Sequence, residues 1–286
     1  MPVDAQQIAV TFDDLPVHAP LPPGETRVGI AERILAALRD ARLPPVYGFI
    51  NAGRLASEPA TRRVLTLWRE AGHPLGNHTF THLRLNDTTV QAWTDDVALN
   101  EPVLEELMPG QDWRWLRYPF LAEGGTPEQR AAARRWLADH GYRIASVTLE
   151  FDDWMFNDPW TRCTARGDQP SLAALEERWL RAADSSFSYY RALSHAVFGR
   201  DIPYVLLVHV GAFTSRMMPR LLALYRERGA RFVTLAEAQM DPFYQDDMRS
   251  AASPAAATLE NAMRQRGLAV PPKPWRSPDD LGMLCR

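Results

Sequence analysis

Two histidines, His78 and His82, stand four residues apart in the stretch GHPLGNHTFTH that runs from Gly72 to His82. On a helix or helical turn this spacing puts both rings on one face. Two neutral imidazoles on one face begin a divalent metal site, because their nitrogens are borderline-soft ligands suited to zinc and its neighbours. An ordinary surface helix with two exposed histidines would have the same spacing. Here Thr79 and Thr81, poor interior helix formers, lie between the rings, and Gly72, Pro74 and Gly76 come just before. That composition predicts a loop running into a short turn, as at the mouth of a barrel. Other groups able to do chemistry are the carboxylate pairs Asp13-Asp14 and Asp152-Asp153, then Arg117 and His209.

Each of these polar groups sits at or just after the end of a short apolar run. Runs at 8–12, 46–50, 113–117, 143–149, 204–208 and 231–235, with a remnant at Leu75, predict strands. Helical periodicity over 28–41, 61–71, 88–108, 127–140, 171–197 (as one helix or two) and 217–228 predicts helices between them. Alternation of this kind implies a parallel sheet covered by helices. In a (β/α) barrel the C-terminal strand ends carry the active site. A doubly wound open sheet predicts the same side, so alternation alone does not close the barrel. After about Asp241 the chain turns rich in Pro, Ala and Ser. One helix over 258–267 is expected there, in a tail at 242–286 packed on the body or partly disordered.

The chain has 286 residues, 46% hydrophobic and 23% charged, an ordinary globular composition with enough length for a large core. A net charge of -3 gives no sign of a nucleic-acid or membrane-surface partner. Lys273 is the only lysine, which reads first as genomic composition bias. No apolar run approaches the roughly 18 residues of a membrane span. The start, Met1 to Gln7, lacks the basic-then-apolar pattern of a signal peptide. The two cysteines, Cys163 and Cys285, are either free thiols of a cytosolic enzyme or one disulfide tying down the tail in an oxidising compartment. The expectation taken forward is the disulfide, in an exported protein whose leader is missing from this sequence; a cytoplasmic enzyme is the alternative. The sequence carries no signal for an oligomeric state.

Taken together, the segments Thr11-Phe12-Asp13-Asp14, His78-Thr79-Phe80-Thr81-His82, Arg117-Tyr118-Pro119-Phe120, Asp152-Asp153-Trp154 and Leu206-Leu207-Val208-His209 resemble the polysaccharide deacetylase family, the NodB-homology or carbohydrate esterase family 4 group. The resemblance covers about 8–241, and the five segments stand in the family's order. It implies a single distorted (β/α) barrel of about seven parallel strands over residues 1–241. It implies that Asp14, His78 and His82 bind a divalent metal, most often zinc, with cobalt, manganese or nickel also suited. Three protein ligands leave positions open for water and substrate. Asp13 would be the general base and Arg117 its ion-pair partner. The Phe120 N–H would donate to the oxyanion. His209 would be the general acid, oriented by Asp152 or Asp153. Trp154, Leu206 and Tyr118 would contact substrate, with Trp154 and Leu206 as walls of the acyl pocket.

Three positions depart from the family's pattern. Leu15, followed by Pro16-Val17-His18, stands where glycine is usual after the Asp pair. Glu150 replaces the aspartate that opens the fourth motif, leaving Asp152 as an extra carboxylate. Phe120 replaces tyrosine at the end of the third motif. All three are expected on the substrate side, with the metal side intact. The resemblance therefore implies a metal-dependent hydrolase removing acetyl groups from an N- or O-acetylated carbohydrate. Two alternatives stand beside it. One is an amidohydrolase of the same fold acting on a small amide or cyclic imide, which Leu15 and the Asp152-Asp153 pair favour. The other is an inactive carbohydrate-binding scaffold.

Overall fold

The computed structural model describes residues 6–249, 256–275 and 281–286. The expectation about the start of the chain concerns residues 1–5, which lie outside the described residues. Seven parallel strands form one sheet: β1 Gln7–Leu15, β2 Tyr47–Ile50, β3 Leu75–Asn77, β4 Trp115–Leu116, β5 Arg143–Ile144, β6 Tyr204–His209 and β7 Arg231–Phe232. Their order is β5-β4-β3-β2-β1-β6, with β7 pairing the start of β1. The segment after β5 returns to β6 through a parallel bridge between Leu149 and Leu206. That bridge brings the two ends of the sheet together and curls it into a distorted (β/α) barrel.

Helices Arg27–Asp40, Arg62–Glu70, Val90–Leu107, Pro127–Asp139, Gln169–Phe198 and Ala212–Glu227 occupy the predicted crossovers. Their starts follow from capping. The side chains of Thr26, Thr89, Thr126 and Asp168 each accept a backbone N–H from the first turn, and Pro127 sits where no N–H is needed. The predicted 171–197 region is one helix. A further helix, Asn157–Arg166, precedes it and was not expected; Pro159 hid its periodicity, although proline is tolerated in a first turn. The predicted strands at 113–117, 143–149 and 231–235 shorten to two residues each, since curvature breaks the ladder early.

The core is built from large aromatic side chains. Trp68, Trp93, Trp115 and Trp179 are fully buried. Gly48 on β2 is needed for close packing, because a Cβ there would stand 2.8 Å from Leu15 and 3.0 Å from Trp68. Leu15 is itself buried in this core.

The described parts of the tail pack on the body. Helix Leu259–Gln265 lies against Gln169–Phe198. Tyr189 donates to the Pro271 carbonyl at 3.0 Å, Lys273 pairs with Glu150 and Glu260, and Trp275 donates to Asp152 Oδ2 at 3.1 Å. Cys285 is joined to Cys163 by a disulfide. Helix Pro242–Arg249 also lies beyond the point where the sequence stops looking ordered. Among the described residues no helix is long and apolar enough to cross a membrane.

Candidate metal centre

The C-terminal ends of β1, β3 and β6 and the loops after them surround a cavity of about 410 Å³. Asp13, Asp14, His78, His82, Phe120, Asp153, Trp154 and His209 all line it, as the sequence predicts. Asp13 and Asp14 belong to β1, and the strand does not end before them. In a regular strand adjacent side chains point to opposite faces. Here the register shifts between Phe12 and Leu15, and Asp14 takes a left-handed φ of 65°. That irregularity turns both carboxylates into one cavity.

The histidine pair stands on irregular backbone after β3, with Thr79 at φ 61° and His82 at φ 63°. The expected loop is there, and the two rings meet on it without a helical turn over 78–84. Buried amides hold this loop. Asn51 Nδ2 donates to the carbonyls of His78 and Thr79 at 2.5 and 2.9 Å, and Asn77 Oδ1 accepts from the Thr79 N–H at 2.9 Å. Asp96 takes the Thr81 N–H and hydroxyl, each at 3.0 Å. No sequence motif singled out Asn51, Asn77 or Asp96. Their signal is only their burial in an otherwise apolar core.

The three expected ligands meet around one oxygen. Asp14 Oδ1 lies 3.4 Å from His78 Nε2 and 3.3 Å from His82 Nε2. It is buried without a hydrogen-bond partner among the described residues. His78 Nδ1 is 2.7 Å from the Arg117 carbonyl, an acceptor, so that nitrogen carries the proton and Nε2 presents its lone pair. Burial pushes His82 down to about 4, so its ring is neutral at neutral pH. Burial opposes charge on Asp14, but the surrounding imidazoles, above all the His18 hydrogen bond, outweigh it and hold the carboxyl well below its ordinary value. An ionised oxygen with no partner, faced by two imidazole nitrogens, fits a divalent cation.

Arg117 and Asp13 form a buried pair, with Nη1 3.1 and 3.3 Å from the two carboxylate oxygens. The rest of the guanidinium is spent on the Ala145 carbonyl and the Thr11 hydroxyl, at 2.6 and 3.0 Å, which locks its plane. His209 Nδ1 lies 2.8 Å from Asp153 Oδ1, and its backbone N–H donates to Asp153 Oδ2 at 2.9 Å. Burial disfavours the charged ring, but the Asp153 carboxylate beside it wins and pushes His209 up to about 9.

Four expectations are corrected. The carboxylate hydrogen-bonded to His209 is that of Asp153; Asp152, at φ 53°, lines the same cavity and accepts from Trp275. Leu206 is buried in the core, and Leu207 lines the cavity, because Leu207 and His209 are two apart on β6 and share a face. Tyr118 is buried and stacks on Trp93 with ring centroids 5.1 Å apart, so it does not line this cavity. The segment after Asp14 was expected on the substrate side only, yet His18 stands 2.7 Å from Asp14 Oδ2 and joins the cavity lining. Glu150 and Lys273 also line the cavity as an ion pair, the lysine arriving from the tail. Phe120, Leu121, Trp154 and Met155 are exposed large hydrophobic side chains clustered by sequence around the third and fourth motifs.

The family model described as polysaccharide deacetylase matches residues 1–145. No curated protein matches the chain. Among solved structures, the chitin deacetylase of the fungal pathogen Colletotrichum lindemuthianum is 22% identical, with a TM-score of 0.55 over 82% of this chain and 87% of that one. A family 4 carbohydrate esterase from Streptomyces lividans, in complex with acetate, is 18% identical, with a TM-score of 0.52 over 82% and 96%. A family 4 pseudoenzyme from Bacillus anthracis is 16% identical, with a TM-score of 0.54 over 82% and 66%. At these identities the likeness establishes the fold.

Proposed function

This chain belongs to the polysaccharide deacetylase family, and we propose that it is a metal-dependent hydrolase removing acetyl groups from an N- or O-acetylated carbohydrate. The observation that carries this reading is the orphaned Asp14 Oδ1 between two imidazole nitrogens, in a cavity also lined by Asp13 and His209. Asp14, His78 and His82 would hold the metal, zinc being best suited to two imidazoles and a carboxylate. When bound, it supplies Lewis acidity for activating water and polarising the acyl carbonyl.

The remaining roles belong to the chain's own groups. Asp13, held in orientation by its pair with Arg117, takes a proton from the attacking water. His209 is charged at neutral pH because of Asp153 and returns a proton to the leaving nitrogen or oxygen. One proton goes in and one comes out, leaving acetate and a free amine or hydroxyl. The Phe120 N–H would donate to the oxyanion, its backbone turned by a φ of 59°. Trp154 and Leu207 would wall the acyl group.

The Glu150–Lys273 ion pair in the cavity lining supports a hydroxyl-bearing substrate over a cyclic imide. Leu15, which argued for an imide in the sequence, is buried in the core away from the cavity. The disulfide supports export to an oxidising compartment. The test is acetate release by zinc-loaded protein from acetylated chito-oligosaccharide and acetylated xylan, beside ring opening of a cyclic imide. Imide hydrolysis alone would favour the amidohydrolase. Metal binding with no turnover of any of the three would favour a binding scaffold.

A further inference from the structure

We propose that His18 is a positioning residue that sets the metal-facing orientation of Asp14; the inference rests on the metal site proposed above. His18 lies outside the five family-like segments, in the stretch that replaces the family's glycine. The two oxygens of Asp14 divide their work. Oδ1 faces His78 and His82, and Oδ2 accepts from His18 Nδ1 at 2.7 Å. A carboxylate only accepts, so that nitrogen carries the hydrogen. A free Asp carboxylate rotates broadly about its last torsion. Anchoring Oδ2 removes that freedom and leaves Oδ1 aimed at the two imidazoles.

His18 can do this because its own ring is held. Arg27 donates to the carbonyls of His18 and Ala19 at 2.9 and 2.7 Å. Asn157 donates to the Pro20 carbonyl at 3.2 Å. The ring packs on Gly211, where a Cβ would stand 3.2 Å from His18 Cδ2. On its other side it meets the His209 ring, centroids 4.6 Å apart. Among the described residues its Nε2 has no hydrogen-bond partner, so the bond to Asp14 is the one that its imidazole makes. Groups that orient a metal ligand from behind are typically worth about 10–100-fold in metal affinity.

The test is chelator competition on the zinc-loaded full chain, with the melting temperature of each metal-free protein measured alongside. His18→Ala should bind zinc about 10–100-fold more weakly. His18→Asn, whose amide N–H can stand near the Nδ1 position, should recover most of that loss. The metal-free proteins should melt alike. His18→Ala binding zinc as tightly as the wild type would overturn the inference and leave the metal site standing. So would equal losses in both variants with lowered melting temperatures, since that pattern means packing. A wild type that holds no divalent metal would overturn the metal site and this inference together.

Discussion

Removing the carboxylate beside His209 should make catalysis fail in a pH-dependent way. In Asp153→Asn the side chain keeps its size, and its oxygen can still accept from the His209 N–H or from Thr214, but its charge is gone. Asp153 is the foremost of the carboxylates that push His209 to about 9 against the opposing effect of burial, ahead of Asp14 and Asp13. Without it only the smaller contributions of Asp14 and Asp13 oppose burial, and the ring should fall toward its ordinary 6.5, a difference of up to about 3 kcal/mol for the charged form. At pH 7.5 the wild-type ring is roughly 97% protonated and a ring returned to 6.5 about 9%, so amide turnover should fall by up to about tenfold. At pH 6 the two should differ little, and by pH 8.5 the gap should approach about 75-fold. The assay is kcat against pH on an acetylated amino sugar, with nitrophenyl acetate as a control whose leaving group needs no acid. Metal content should not change. A loss of equal size at every pH, or equal losses on both substrates, would refute His209 as the acid.

Further outcomes follow from the same geometry. His78→Ala should lose bound metal and acetyl hydrolysis together, and full metal occupancy at neutral pH would remove His78 from the ligand set. Arg117→Leu strands the buried Asp13 charge and should cost about 3–5 kcal/mol in urea unfolding; a cost under about 1 kcal/mol would mean that Asp13 does not depend on the pair. The Asp153–His209 pair should stabilise the fold only within a pH window. Asp153 is held below its ordinary 3.8, so its share is present above that value and lost as pH falls. His209 is raised to about 9, so its share is full below 6.5 and lost as pH rises through 9. The stability gap between wild type and Asp153→Asn should thus be wider at pH 6 than at pH 10. The Cys163–Cys285 bond closes a separation of 122 residues, and Cys285→Ser should destabilise by at most about 5 kcal/mol. Two free thiols in the unfolded, unreduced protein would rule the bond out.

By itself the sequence determined the alternation of strand and helix and the strand ends at which Asp13, Asp14, His78, Arg117, Asp152, Asp153 and His209 stand. Periodicity carries this information because burial repeats every second residue on a strand and every third or fourth on a helix. It also left Cys163 and Cys285 as either two free thiols or a single bridge, there being no other cysteines. Tertiary structure alone decided which way the irregular residues point. Asp14, Thr79, His82, Phe120 and Asp152 all adopt left-handed backbone. Such residues break both periods and cost of order 1 kcal/mol or more, which the surrounding fold must impose. For that reason the choice of Asp153 over Asp152 was invisible in the adjacent pair, although Leu207 over Leu206 was open to strand alternation from His209. The contacts of His18 with Asp14 and of Lys273 with Glu150 were hidden for a different reason. The first depends on a loop clamped by Arg27 and Asn157, the second on a tail returning over more than a hundred residues, and no local pattern encodes either.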